Sequence, residues 1–97
     1  MKQVDREITL RIPAGLHMRP AAEIARIAHA FDAKITFHAQ DQSADARSML
    51  HLVILCAAQG DRLKLSATGN DAHAAIEAIS TFLGGYTEDE MPPETPA

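Results

Sequence analysis

The feature that most constrains the fold of this chain is the spacing of its apolar residues. Segments with an apolar residue at every second position alternate along the chain with segments whose apolar residues have helical spacing. Around residues 8–12, 35–39 and 63–67, apolar side chains occupy every second position, which predicts strands with one buried and one solvent-facing side. Such strands are typical of antiparallel sheets, because the strands of parallel sheets are covered on both faces. The sheet is therefore predicted to be mostly antiparallel, with helices on one face only.

Two longer segments have apolar residues at helical spacing instead. The first follows Pro20, a residue that the first turn of a helix tolerates. The second follows residues 68–71 and is expected to stop at Gly84 and Gly85. A short apolar run after Ser48 predicts a third helix, capped by this serine and ended by the turn at residues 59–61. The two long stripes comprise Ala21, Ile24, Ile27, Ala28 and Phe31, and Ala72, Ala75, Ile76, Ile79, Phe82 and Leu83.

The order of these elements is β-α-β-β-α-β-α when residues 43–46 are taken as the return strand of a hairpin. Helices with one apolar face, packed on a sheet with one apolar face, give a two-layer sandwich of the α+β class. A chain of 97 residues has room for one such domain, which we expect to occupy residues 1–85. Residues 86–97 form an acidic, proline-rich tail that we expect to be poorly ordered.

The formal net charge of −4 arises in that tail, whose charged residues are Glu88, Asp89, Glu90 and Glu94. The rest of the chain is balanced and lacks the excess of Lys and Arg that nucleic acids and anionic membranes attract. No run approaches the roughly 18 apolar residues of a transmembrane helix, and the N-terminus does not resemble a signal peptide. We therefore expect a cytoplasmic protein without membrane insertion. Cys56 lies in an apolar run and is expected to be buried.

The sequence PAGLHMRPAA, residues 13–22, places His17 where a loop gives way to the first long helix. The first turn of a helix presents N–H groups without intrahelical acceptors and a partial positive charge, which both favour a bound anion. Met18 and Arg19 have such N–H groups, and the guanidinium of Arg19 suits phosphate oxygens. Positive surroundings favour the neutral imidazole, whose nitrogen can act as a nucleophile. These are the requirements for a histidine that accepts a phosphoryl group.

Two other interpretations of this motif stay open on the residues alone. His17 could be an ordinary helix-start residue and Arg19 a solvated charge, which is the commoner meaning of so short a motif. A metal site is less favoured, because no acid or cysteine lies at ligand spacing from His17. We predict neither a metal nor a cofactor. The remaining histidines are scattered over different elements and comprise His29, His38, His51 and His73.

Four segments, in order along the chain, resemble the HPr family of histidine-containing phosphocarrier proteins of the bacterial phosphoenolpyruvate-dependent phosphotransferase system. They are GLHMRPAA, ARSMLHLVIL, QGDRLKLSATGND and the closing amphipathic helix. The resemblance spans about residues 4–84 and implies an open-faced β-sandwich whose four-stranded sheet carries three helices. It also implies a monomeric phosphoryl carrier that is not itself an enzyme.

The resemblance assigns roles to particular residues. It implies that Nδ1 of His17 accepts a phosphoryl group from enzyme I and passes it to a IIA domain of a sugar permease. Arg19 matches the active-site arginine of the family. Ser48 matches the serine that HPr kinase/phosphorylase modifies in Gram-positive-type members, in addition to its role as a cap. The implied partner-docking patch comprises Met49, Leu50 and Val53, in a helix with more apolar residues than one face can bury.

The chain departs from the family pattern at Met18, Arg47 and His51, where a smaller residue, a lysine and a glycine are common. Its ending GGYTEDE is similar to that of the nitrogen-branch relative NPr, which phosphorylates a regulatory IIA protein. The resemblance to HPr predicts a carrier for sugar uptake. The NPr-like ending leaves a nitrogen-branch carrier as one alternative, and a regulator that acts through Ser48 is another. A split β-α-β nucleic-acid-binding module shares the element order but needs a basic face and exposed aromatic residues.

Overall fold

The computed structural model describes residues 3–86. Its elements are β1 (Gln3–Thr9), α1 (Met18–Ala28), β2 (Lys34–Ala39), β3 (Gln42–Asp45), α2 (Met49–Ile54), β4 (Arg62–Thr68) and α3 (Ala72–Gly85). The predicted α+β class and element order are confirmed. The expected acidic tail lies outside the described residues from residue 87 onward, and the division of the chain at residue 85 stays a prediction.

The four strands form one antiparallel sheet in the order β1-β4-β2-β3. The last strand of the sequence, β4, lies between β1 and β2 and pairs with both. The β2–β3 hairpin completes the sheet, with Ala39 opposite Gln42 beside its turn. Along β4, Leu63 and Leu65 are buried whereas Arg62 and Lys64 are exposed, so the predicted alternation corresponds to the two faces of the sheet.

One hydrophobic core fills the space between the sheet and the helices. Most of the predicted apolar positions of β2 and β4, and most of both helical stripes, are buried there. Truncating a buried Leu, Ile or Phe to alanine in such a core costs about 2–5 kcal/mol of unfolding free energy. The largest fully buried side chains are Phe37, Leu10, Ile12, Ile24, Ile35, Leu52, Leu63, Leu65, Ile76, Ile79 and Pro20.

The exit from β1 departs from the predicted strand. The strand ends at Thr9, although the alternation continues through Leu10 to Ile12 and both of these side chains remain buried. Leu10 instead pairs with the turn before β4: its N–H donates to Asp61 at 2.8 Å, and its carbonyl accepts from Gly60 at 2.7 Å. The alternation therefore predicted correctly which side chains are buried. The backbone hydrogen bonds that pair β1 with β4 end before the alternation does.

The expectation that Cys56 is buried is wrong. α2 ends at Ile54, before the predicted turn at residues 59–61, because Leu55 closes the helix and Cys56 reverses the chain. Cys56 has a φ of 57°, a left-handed conformation that residues with a Cβ seldom adopt. Its N–H donates to the carbonyl of Val53 at 3.1 Å. The side chain is exposed as a result of this reversal.

The limits of α1 differ from the predicted ones, whereas the end of α3 agrees with the prediction. α1 begins at Met18, so Pro20 is its third residue. A proline is tolerated there because an N–H in the first turn would have no acceptor within the helix. Phe31 lies beyond the end of α1 and is half-buried against the core. α3 ends at Gly85, so its end falls at the glycine pair where the sequence predicts the stop.

Candidate functional site

His17 is the N-cap of α1, as the sequence predicts. Its backbone is extended, with φ −86° and ψ −171°, and its carbonyl accepts the N–H of Ala21 at 3.0 Å. The half-buried side chain makes no capping hydrogen bond with the helix. The first-turn amides of Met18 and Arg19 have no carbonyl within the helix to bond to, because the helix has no earlier turn. His17 therefore directly precedes two backbone donors in the chain.

The loop before His17 is held by backbone hydrogen bonds. Gly15 donates to the carbonyl of Ile12 at 2.9 Å, and His17 donates to the carbonyl of Gly15 at 2.9 Å. Between them, the N–H of Leu16 crosses to the carbonyl of Ala57 at 2.9 Å. The Leu16 side chain is buried in the core. The position of His17 is therefore fixed by contacts on both sides of the loop.

The charge at the start of α1 is positive. The first turn contains no acidic residue, and the exposed Arg19 adds to the positive end of the helix dipole. The nearest acid along the helix, Glu23, is paired with Arg26, whose Nε lies 3.0 Å from its carboxylate. Hydrogen bonding from Arg26 holds the pKa of the Glu23 carboxyl below its ordinary value. An anion at the helix start therefore meets Arg19 before any acidic side chain of α1.

Ser48 occupies the equivalent position on α2. Its Oγ accepts the N–H of His51 at 3.1 Å, which confirms the predicted helix cap. The Ser48 N–H donates to the carbonyl of Asp45 at 3.0 Å, so the residue is anchored on both sides. Its side chain is half-buried. Phosphorylation of Ser48 stays a prediction.

Apolar side chains are exposed on α2 and at the start of α1. Leu50 and Ile54 are 63% and 61% exposed and lie four residues apart, on one face of α2. Met18, on the neighbouring helix α1, is 60% exposed. In contrast, Met49 and Val53 are half-buried against the core. Of the predicted docking residues, Leu50 is the most exposed, and the role of these residues in docking stays a prediction. Ile54, which the prediction did not include, is nearly as exposed as Leu50.

The three departures from the family pattern face different surroundings. Met18 and His51 are exposed at the two helix starts. Arg47 is exposed but tied down, because its Nη2 donates to the carbonyl of Phe31 at 3.0 Å and its N–H donates to Asp45 at 2.9 Å. A partner that approaches α1 and α2 would therefore meet Met18 and His51, whereas Arg47 links α2 to the end of α1.

The described part of the chain contains neither a candidate metal cluster nor a membrane-spanning helix. Within residues 3–86, no group of three His, Cys, Asp or Glu side chains could hold a metal ion. None of the helices in this range is long and apolar enough to cross a membrane.

Residues 4–84 match the family described as the PTS HPr component, phosphorylation site. The chain belongs to the HPr family. This match spans the histidine loop (residues 10–17, between β1 and α1), the sheet and all three helices, and it confirms the resemblance drawn from the four segments. The family consists of phosphocarriers, so the prediction of a phosphoryl carrier of the phosphotransferase system that is not an enzyme is also confirmed.

Two HPr-family proteins of similar size are close in sequence. The phosphocarrier protein NPr of Shewanella violacea is 38% identical over 83 residues, which cover 86% of this chain and 91% of that protein. The phosphocarrier protein HPr of Haemophilus influenzae is 39% identical over 69 residues, which cover 71% of this chain and 81% of that protein. The two identities do not separate the HPr and NPr branches.

A solved HPr structure agrees with the fold. The crystal structure of HPr from Bacillus anthracis has a TM-score of 0.80 and 25% identity to this chain, covering 86% of this chain and 99% of that one. The open-faced sandwich with three helices is thereby confirmed. One longer relative, a multiphosphoryl transfer protein of Xanthomonas campestris, is 38% identical over 84 residues, and this chain spans only 10% of its length. HPr-like sequence thus also occurs within a much larger transfer protein.

Proposed function

We propose that this HPr-family chain carries a phosphoryl group on Nδ1 of His17, taking it from enzyme I and passing it to a IIA domain of a sugar permease. One observation carries the proposal: His17 is the N-cap of a helix of 11 residues, at a positive helix end whose first turn contains no acidic residue. A histidine used only to start a helix would be a poor choice, because Ser, Thr, Asp and Asn cap far better.

The transfer consists of two displacements at phosphorus. In the first, a bond forms between phosphorus and Nδ1 of His17 while the bond between phosphorus and the donor breaks. In the second, the acceptor's nucleophile attacks and the bond to Nδ1 breaks, which returns the imidazole to its starting state. Phosphoryl transfer depends mainly on positioning and on stabilising charge, so a carrier can leave the remaining groups to its partners.

The start of α1 suits the bound phosphoryl group. Backbone N–H groups at Met18 and Arg19, and the helix dipole, favour an anion at this point. The Arg19 guanidinium supplies charge-assisted hydrogen bonds to phosphoryl oxygens. Because no acid lies in the first turn of α1, this stabilisation is not opposed there.

A carrier must also dock, since the phosphoryl group moves directly between proteins. We assign this role to the surface formed by Met18, Leu50 and Ile54, with Met49 and Val53 at its base. The first three are the large apolar side chains exposed among residues 3–86. Exposed apolar residues with depleted charge are typical of interface cores. Ser48 lies one residue before this surface, so a phosphate on its Oγ would add about −1.5 to −2 charges there.

The deciding experiment is incubation with enzyme I and labelled phosphoenolpyruvate. We expect acid-labile label on the wild type and none on His17→Ala. The matched control is His29→Ala, which removes an exposed histidine at the opposite end of α1 and should keep the label. Label on His17→Ala, or an unlabelled wild type with several sources of enzyme I, would overturn the proposal.

The nitrogen branch is a second candidate. A protein named phosphocarrier protein NPr is 38% identical to this chain over 86% of its length. Phosphorylated carrier should therefore be offered separately to a sugar-specific IIA domain and to a regulatory IIA protein. Faster transfer to the sugar-specific domain supports the first assignment, and faster transfer to the regulatory protein replaces it with the second.

A further inference from the structure

The backbone at Gly15 lies unusually close to a second segment of the chain. Gly15 is buried two residues before His17 and has a φ of 78°. A Cβ on this residue would lie 2.6 Å from the carbonyl oxygen of Ala57 and 3.3 Å from Cα of Ala58. The first distance is shorter than any real contact of a Cβ, and both neighbours are backbone atoms. Any larger residue must therefore displace the loop or the segment beneath it.

The segment beneath the loop is a turn formed by residues 57–61. Its Ala57 carbonyl accepts the N–H of Leu16 at 2.9 Å, beside the close approach of Gly15. At the other end of the turn, Asp61 accepts the N–H of Leu10 at 2.8 Å through its backbone carbonyl. The turn consequently holds the loop at two residues: at Leu10, where the loop begins, and at Leu16, directly before His17.

A side chain of the turn fixes its own shape. The Asp61 carboxylate accepts the N–H of Ala58 at 2.8 Å, and the Asp61 N–H donates to the carbonyl of Ala58 at 3.0 Å. These two bonds close the turn on itself. Ala57, which bonds to the loop, precedes this closed unit directly and is itself buried. The Ala57 carbonyl is therefore held from one side by the turn and from the other by the core.

We infer that the 57–61 turn positions His17 for phosphoryl transfer, with Gly15 and Asp61 as positioning residues. Gly15 allows the loop to reach Ala57, and Asp61 holds the turn that carries Ala57. This inference rests on the proposed function of His17. Gly15 and Asp61 do not themselves contact the phosphoryl group. They fix the position of the His17 imidazole relative to the first amides of α1. Because a misplacement of about 1 Å can lower a transfer rate about 100-fold, such a support has a measurable effect.

Gly15→Ala is the direct test, and Gly69→Ala is its matched control. Gly69 also has a positive φ, and a Cβ there would lie 2.8 Å from the carbonyl oxygen of Asp32, so the steric conflict is similar but remote from the loop in sequence. Transfer from enzyme I is measured at a temperature where circular dichroism shows both variants folded. We expect Gly15→Ala to lower the maximal rate at least tenfold with little change in KM, and Gly69→Ala to leave both near the wild type.

Asp61 provides a test that leaves the loop untouched. Asp61→Ala removes the acceptor for the Ala58 N–H, whereas the amide oxygen of Asp61→Asn can still accept it. We expect Asp61→Ala to slow transfer and to shift the amide resonances of Met18 and Arg19, and Asp61→Asn to restore both.

Equal maximal rates for Gly15→Ala and Gly69→Ala would overturn the inference if both are folded. If Gly15→Ala or Gly69→Ala fails to fold, the Asp61 variants decide. The inference is then overturned if Asp61→Ala and Asp61→Asn have equal transfer rates and equal chemical shifts for the Met18 and Arg19 amides. Failure of the proposed function looks different, because the wild type itself would then take no label from enzyme I.

Discussion

The hydroxyl of Ser48 accepts the backbone N–H of His51 at 3.1 Å, so one oxygen is both the cap of α2 and the candidate phosphorylation site. Removing it by Ser48→Ala should lower the free energy of unfolding by about 1 kcal/mol. Ser48→Asp supplies another good capping oxygen and should remain close to the wild type. Urea denaturation of the three proteins measures this difference. Equal stability of Ser48→Ala and the wild type would show that the cap contributes nothing.

The same pair of variants separates stability from docking. The carboxylate of Ser48→Asp places a negative charge two residues before Leu50, on the side from which we expect enzyme I to approach. We predict a several-fold higher KM for enzyme I with Ser48→Asp and an unchanged KM with Ser48→Ala. Steady-state transfer assays measure both values. Identical values for the wild type and Ser48→Asp would argue against charge control at this position.

Cys56 offers a stabilising substitution. Its φ of 57° lies in the left-handed region, which costs a residue with a Cβ roughly 1–2 kcal/mol, and its exposed side chain contributes little packing. Cys56→Gly removes this penalty and should raise the free energy of unfolding by about 1 kcal/mol. Cys56→Ala retains the penalty and serves as the control. Denaturant unfolding under reducing conditions checks the prediction, which a less stable Cys56→Gly would contradict.

The contrast between Cys56 and the strands shows what the sequence could predict. The alternation of apolar residues predicted the buried side chains of β2 and β4 correctly. This was possible because burial along a strand follows the two-residue period when one face of the sheet covers the core. The position of His17 at the mouth of α1 was also predictable from local signals. The bond from Leu16 to Ala57 joins residues distant in sequence, so no local pattern could reveal it. The early end of α2 was missed for a different reason: Cys56 reverses the chain in a left-handed conformation that glycine usually marks, and no glycine stands there.

Leu50 should contribute to docking without contributing to stability. Its side chain is 63% exposed, so Leu50→Ser should change the free energy of unfolding by no more than about 0.5 kcal/mol. We expect its affinity for enzyme I to fall about tenfold, which corresponds to about 1.4 kcal/mol. Ala74→Ser, which alters an exposed apolar residue on α3, is the control and should bind normally. Calorimetric titration with enzyme I measures the affinities, and unchanged binding by Leu50→Ser would remove α2 from the interface.

The ion pair between β1 and α3 gives the fold a pH-dependent contribution. Nη2 of Arg6 lies 2.6 Å from Oε2 of Glu77, and hydrogen bonding from Arg6 holds the pKa of Glu77 below its ordinary value of 4.5. Because folding favours the ionised carboxylate, the contribution is complete above this ordinary value and is lost as the pH falls through the lowered pKa.

Glu77→Gln should therefore be less stable than the wild type at neutral pH and equally stable once Glu77 is protonated. Urea midpoints of both proteins, measured at intervals from about pH 7 to about pH 3, should converge as the pH falls. Glu7→Gln is the control, since its pair with Arg62 is longer, at 3.2 Å, and more exposed. A gap between wild type and Glu77→Gln that stays constant with pH would mean that Glu77 acts through packing and not through its charge.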